Sequence, residues 1–195
     1  MRLFFVKFIA LVDDLANGKG MKYSFLLCLL SVFLVGCVAT PPSSTSKELA
    51  KRVLAQPNKF KLANYHLSGK RDNATALKNM QATAAGYSAR RSYYGKSPGG
   101  YCKLQPNMLR GMLKLADMGY SISISEIAGG SHSSNSRHYQ GVAYDVTYIN
   151  GIKVGWNNPY YRAYMKRARA LGATEVLGPG DRGHSGHLHI AWPRP

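Results

Sequence analysis

Ser136-Arg-His-Tyr-Gln-Gly-Val-Ala-Tyr-Asp145 is the stretch on which the reading of this chain turns. It places an imidazole, His138, seven residues before a carboxylate, Asp145, with Gly141 between them to let the backbone turn. Asp145 interrupts an otherwise strand-like run, Val142 to Tyr148. Alone, such a carboxylate is explained as well by solvent exposure as by pairing or by metal binding. A second stretch, His184-Ser-Gly-His187-Leu-His189, alters that balance. In an extended strand His187 and His189 share a face, because side chains alternate with period two. Two imidazoles on one face can supply a metal ligand and a proton carrier. Zinc hydrolases take three ligands from His, Asp, Glu or Cys and keep a fourth position for water. Four of the six histidines fall in these two stretches, which form the candidate site.

The surrounding segments supply a scaffold. Leu49, Val53 and Leu54 suit a short helix over Lys47 to Gln56, stopped by Pro57. A second helix is expected from Ala74 to Ala85, with Asn73 as its cap and Leu77, Met80 and Ala84 on one side. Pro106 opens a third helix running to Met118, whose Met108, Met112 and Leu115 stripe reads as core. A fourth spans Pro159 to Leu171, with a solvated basic face of Arg162, Lys166, Arg167 and Arg169. Strands are expected over Ser121–Ile127, Val142–Ile149, Ile152–Val154, Ala173–Leu177 and His187–Trp192. Asn150-Gly151 reads as a hairpin turn. The segment from Tyr87 to Tyr101 is basic, aromatic and Gly-rich, and reads as an ordered loop near the site or a surface facing its target. The sum is one α+β domain over 47–195, N-terminal helices followed by a small, mostly antiparallel sheet.

The N-terminus reads as an address. Residues 21–36 carry one positive charge, Lys22, before a dozen apolar residues that end in Leu34-Val-Gly-Cys37. This is a signal-peptide pattern, too short for a comfortable membrane span. Its ending resembles the lipobox of bacterial lipoproteins, which implies cleavage before Cys37 and a lipid on its thiol. Residues 1–20, interrupted by Asp13 and Asp14, fit a mis-assigned upstream start, with Met21 as the true one. Residues 37–46 form a Pro/Ser/Thr tether. Val38 is not the aspartate that retains lipoproteins in the inner membrane, so the resemblance implies the outer membrane, facing the periplasm. Cleavage leaves Cys37 and Cys102, and an acylated Cys37 leaves Cys102 without a disulfide partner. The whole chain has 26 Lys+Arg against 9 Asp+Glu, a net +17. From residue 37 onward the balance is 22 against 7, or +15. That charge favours anionic surroundings. An export signal argues for wall polymers and against nucleic acid, and a monomer is expected.

The first stretch matches, at every fixed position, the Ser-x-His-x-x-Gly-x-Ala-x-Asp motif of the D-Ala-D-Ala metallopeptidases, through Ser136, His138, Gly141, Ala143 and Asp145. That family contains zinc D,D-carboxypeptidases, murein endopeptidases and D,D-dipeptidases, and shares its fold with the hedgehog signalling domain. His184, His187 and His189 resemble the carboxypeptidase and penicillin-insensitive endopeptidase branch, since the dipeptidases place a glutamate before the last histidine. The resemblance covers about Ile122 to Trp192. It implies a Zn2+ ion on His138, Asp145 and His189, with His187 as general base or electrostatic helper and His184 as a further active-site histidine. It implies peptidoglycan peptide stems as substrate. Related enzymes carry an arginine in a Ser-Gly-Tyr-Arg-like segment before the first motif, whereas this chain reads Ser123-Ile-Ser-Glu-Ile-Ala-Gly-Gly. Arg137, Ser136 and Arg182 are the candidate substrate contacts in its place. The rival expectation is a wall-binding lipoprotein with the same fold and no activity. His132, in a Ser/Gly loop, is expected to be solvated.

Overall fold

A computed structural model describes residues 44–195, which form an α+β domain with its own hydrophobic core. The expected upstream start, signal peptide and lipidated Cys37, and most of the tether, lie outside the described residues. Among the described residues no helix is long and apolar enough to cross a membrane.

Helix α1, Ser46–Leu54, begins at a capping box. The Thr45 side chain accepts from Glu48 N and the Glu48 carboxylate accepts from Thr45 N, so two otherwise orphaned donors are satisfied. Its Leu49, Ala50 and Val53 are buried. After a turn, β1 covers Phe60–Leu62. Helix α2 runs Ala76–Ala85, two residues shorter than expected, because Thr75 rather than Asn73 is the cap. Met80 and Ala84 are buried as expected, whereas Leu77 is half-buried and Asn79 takes an inward place. The Asn79 amide donates to Arg90 O and accepts from Ala128 N, so a polar side chain fastens the helix to two distant segments of the chain. Short strands β2, Ala89–Arg90, and β3, Tyr101–Cys102, pair antiparallel at the base of the Tyr-rich segment. Helix α3, Pro106–Asp117, has its proline in the first turn, and its methionine stripe is core. Gly111 on this helix lies so close to Trp192 that a Cβ there would stand 2.0 Å from the indole.

The sheet continues with β4, Ile122–Glu126, then β5, Ala143–Ile149, and β6, Ile152–Lys153, across the Asn150-Gly151 turn. Helix α4, Tyr161–Ala170, follows, its basic residues exposed. The chain then adds β7, Glu175–Leu177, and β8, Leu188–Ala191. Strand order is β1-β4-β5-β8-β7, with β6 on β5. The β1–β4 pair is parallel and the others antiparallel. Strand β1 has no counterpart among the sequence expectations. Three residues are too few to show an alternating pattern, and its partner β4 is 62 positions away, Phe60 opposite Ile122. The consequence for the site is that β5 lies centrally, between β4 and β8.

Candidate metal site

Between β4 and β5 the chain makes a 3-10 turn, Arg137–Gln140. Ser136 caps it, its Oγ accepting from His138 N at 3.3 Å, so this serine shapes the turn. Gly141 ends it at φ 69°, a left-handed conformation that glycine adopts freely. A Cβ at Gly141 would stand 2.2 Å from the carbonyl of Lys103, so both the angle and the space require glycine. The turn sends His138 inward, fully buried.

Sheet register supplies the other two groups. Asp145 on β5 is directly opposite His189 on β8, which places their side chains on one face. His138 Nε2 lies 3.2 Å from Asp145 Oδ1 and 3.0 Å from His189 Nδ1, and His189 Nδ1 lies 3.1 Å from Asp145 Oδ1. Three ligand atoms thus converge in a buried space. The outward nitrogens are held from behind. His138 Nδ1 donates to the Ile127 carbonyl at 2.6 Å, which leaves the Nε2 lone pair facing the cluster. His189 Nε2 is 3.0 Å from Glu175 Oε1, an electrostatic contact without hydrogen-bond alignment. Glu175 is held in turn by Arg137 Nε at 2.9 Å. Such partners behind an imidazole fix its tautomer and orientation for a metal. Burial raises the carboxyl of Asp145, but the two imidazoles overcome this and hold it well below its usual range. Burial likewise disfavours the His138 imidazolium, and the Asp145 charge outweighs that and holds its pKa up. The donor set fits a zinc ion: two imidazoles, one carboxylate, and room on the cleft side.

The remaining histidines gather on one side. His187 is half-buried and precedes β8, so it enters from the loop rather than by strand alternation. Burial lowers its pKa; nearby Asp145 works against this, and neighbouring imidazoles add to the depression. The His184 ring is 4.8 Å from His187 and 6.1 Å from His189, and its Nδ1 donates to Arg182 O. Arg182 itself is exposed and stands outside the cleft lining. Arg137 lines the cleft, with Nε on Glu175 and Nη1 on Thr174 Oγ1 and the Trp192 carbonyl.

His132 departs from the sequence expectation. It is half-buried rather than solvated, because Tyr139 and the Gly129 carbonyl draw its loop inward. Its ring stacks on His138 at 3.9 Å, and burial, with His138 alongside, pushes its pKa down to about 3. His132, His138 and Asp145 also offer ligand atoms within 4.8 Å of one another. The His138–Asp145–His189 set, at 3.0 to 3.2 Å, is the tighter cluster. His132 lies in a loop and Glu175 in a strand too short to mark a face, so sequence spacing gave no signal for either.

Beside the site lies a largely buried ionic triad that sequence reading did not anticipate. Glu126 on β4 is the cross-strand neighbour of Asp145. Both its oxygens accept from His66 Nδ1, at 2.8 and 3.0 Å, and His66 Nε2 donates to Asp72 at 2.7 Å. With a carboxylate on each nitrogen, Glu126 foremost, His66 titrates at about 9. The Tyr87–Tyr101 segment is ordered and adjoins the site, Lys96 N donating to Ser131 Oγ beside His132. Arg90 there lies over the rings of Tyr93 and Tyr101.

No family model matches the chain, and no solved structure matches it. A zinc D-Ala-D-Ala carboxypeptidase of Streptomyces albus G is 38% identical over 71 residues. The matched segment is 36% of this chain and 24% of that protein, so the chain spans about a quarter of that relative's length. A partial homology to a zinc carboxypeptidase thus meets, in this chain, a His–His–Asp cluster that can hold a metal.

Proposed function

We propose that this protein is a zinc-dependent peptidase that hydrolyses D-amino-acid peptide bonds in peptidoglycan, as a D,D-carboxypeptidase or a murein endopeptidase. The observation that carries the reading is the convergence of His138 Nε2, Asp145 Oδ1 and His189 Nδ1 at 3.0 to 3.2 Å. Three acceptors packed so closely in a buried space repel one another unless a cation or a shared proton stands among them. His138, Asp145 and His189 are the three that would hold zinc. Bound there, zinc would polarise the scissile carbonyl and lower the pKa of water towards neutrality. His187, which burial keeps towards the neutral form, accepts a proton at a ring nitrogen and returns it to the leaving amine. His184 packs against His187 and limits the orientations of its ring. Arg137 and Glu175 act on His189 from behind, and Ser136 shapes the turn that carries His138.

The partial homology to a zinc D-Ala-D-Ala carboxypeptidase supports the substrate class. In the same reading the protein reaches the cell envelope by a lipid on Cys37, in the outer membrane facing the periplasm, acts as a monomer and binds no nucleic acid. Radiolabelled lipid incorporation that a Cys37→Ser change abolishes is the expected result for the anchor.

The activity is tested by incubating the purified protein with peptidoglycan, with and without a chelator, and analysing the released muropeptides. Chelator-sensitive loss of cross-links identifies an endopeptidase, and release of a terminal D-alanine identifies a carboxypeptidase. His187→Ala is expected to lower kcat by about 10² to 10⁴ while bound zinc stays at the wild-type level. No product, or products unchanged in that variant, overturns the reading.

A further inference from the structure

The Tyr87–Tyr101 segment is well ordered, yet the chemistry above makes no use of it. Strands β2 and β3 pin its two ends together, and Ser97 Oγ donates to Ser92 O at 2.7 Å. The Arg90 guanidinium, over the rings of Tyr93 and Tyr101, donates to the Tyr101 hydroxyl at 2.9 Å. Tyr87, 75% exposed, and Tyr93 and Tyr101 with it, nevertheless stand in solvent. Ser68 Oγ and Tyr94 Oη, 3.2 Å apart, join the segment to the 65–71 loop, which adds the exposed Tyr65, Leu67, Lys70 and Arg71. Large side chains clustered at the surface on a rigid base mark a contact surface.

The charge of this surface is one-sided. From Tyr65 to Lys103 the chain has seven lysines and arginines against one acid, Asp72. Asp72 is taken by His66, and among the described residues none of the seven cations is within ion-pairing distance of a carboxylate. Lys70, Arg71 and Lys78 line one open basin of about 570 Å³. Uncompensated cations among exposed phenols match the boundary of an anionic bilayer. Lysine and arginine are drawn to its headgroups, and tyrosine settles at headgroup level.

The described chain begins at the same place. Lys47 lies over Gly86, its Cδ 3.6 Å from where a Cβ would stand, and Ser46 Oγ donates to Leu104 O at 2.7 Å. Gly86 precedes the Tyr-rich segment and Leu104 follows it, so the chain before Ser44 leaves the domain at the roots of that segment. Fully extended, the seven steps from Cys37 to Ser44 reach at most about 25 Å. A lipid on Cys37 would hold these roots within that distance of a bilayer.

We propose that the face formed by residues 65–71 and 87–101 docks on an anionic phospholipid bilayer, with its tyrosines at the headgroup boundary. This rests on the reading of an enzyme anchored through Cys37 and deepens it, adding a second contact that sets the orientation of the domain. Lys96 N donates to Ser131 Oγ beside His132, so docking there also fixes where the cleft stands relative to the bilayer.

The full chain, purified in detergent and diluted, is partitioned onto vesicles of phosphatidylcholine alone and of equal parts phosphatidylcholine and phosphatidylglycerol. Wild type is expected to favour the anionic vesicles by about a hundredfold at low salt and to lose the preference as salt rises. Arg71→Gln/Lys96→Gln, at two exposed positions outside the cleft, is expected to lower the ratio about 25-fold, a factor of about five for each cation. Lys166→Gln/Arg167→Gln makes the same charge change on α4 and is expected to leave the ratio near wild type. Hydrogen exchange over 87–101 should slow on anionic vesicles and not on neutral ones. A ratio near one in wild type, an equal fall in the α4 variant, or no protection over 87–101 overturns the proposal. So does displacement from the vesicles by polyphosphate or a single-stranded oligonucleotide at equal phosphate, which assigns the face to a soluble polyanion. Binding to the neutral vesicles reads the Cys37 anchor separately: its absence sinks that reading, and the anionic vesicles still decide this one.

Discussion

Nε2 of His138 and Nδ1 of His189 stand 3.0 Å apart although 51 residues separate them in the chain. The nitrogen on the far side of His138 donates to a buried carbonyl, and that of His189 faces the Glu175 carboxylate. The two lone pairs are therefore turned on each other and on Asp145. A cation is the economical resolution. The purified protein is expected to hold one equivalent of zinc by elemental analysis, and Asp145→Ala or His189→Ala to lose it. Chelation should lower the melting temperature, because a metal at a thousand times its Kd stabilises the fold by about 4 kcal/mol.

Glu175 is exposed enough to change without creating a cavity, yet it faces His189 and is held by Arg137. Glu175→Gln is expected to weaken zinc binding by about 10- to 100-fold, the usual effect of removing a carboxylate behind a ligating imidazole. Competition against a chromophoric chelator measures it. An affinity equal to wild type would show that Glu175 has no part in orienting His189.

The His66 triad, which adjoins the candidate site through Glu126, makes a pH prediction of its own. His66 titrates at about 9, above the ordinary 6.5, because it bridges Glu126 and Asp72. A group whose pKa rises on folding stabilises the fold fully below its unfolded value, and that gain disappears as pH climbs through its folded value. Stability should therefore decline from about pH 6.5 through pH 9. His66→Gln should be less stable at neutral pH and lack that decline, as read by urea denaturation across the range. A parallel profile in the variant would rule out His66 as the source.

Gly141 is a backbone test of the site. Gly141→Ala demands both a positive φ and a Cβ 2.2 Å from Lys103 O. A cost of about 1–3 kcal/mol or more is expected from the strain, together with weaker zinc binding, because the same turn aims His138. Urea denaturation and zinc titration on one sample measure both. Stability and affinity both near wild type would contradict the account of the turn.

The helices were largely legible in the sequence because each has a local cause. Pro106 opens α3 and its Met108–Met112–Leu115 face is buried, and Leu49 and Val53 form the buried face of α1. The grouping of His138, Asp145 and His189 was legible for a different reason. His138 and Asp145 share one short motif, and the resemblance of that motif and of the His184–His189 stretch to a peptidase family joined His189 to them. What could not be read was whatever depends on partners distant in the chain. Asn79 looks like an exposed polar residue until Arg90 O and Ala128 N are found on its amide. His66 looks isolated until Glu126 arrives from sixty positions on. His132 looked solvated in its Ser/Gly loop, yet it stacks on His138. Strand β1 was missed on the same ground, since three residues carry no period of their own.

The clasp of Arg137 on Glu175, Thr174 and the Trp192 carbonyl also ties the site to the completion of the fold. Before β7 and β8 have docked, the central strand presents only two donors, His138 and Asp145, and a pair holds zinc weakly. A metal held by all three would therefore report a finished fold. A centre whose third donor comes from β8 is whole only in the folded domain, so an unfolded or truncated chain offers no competent site.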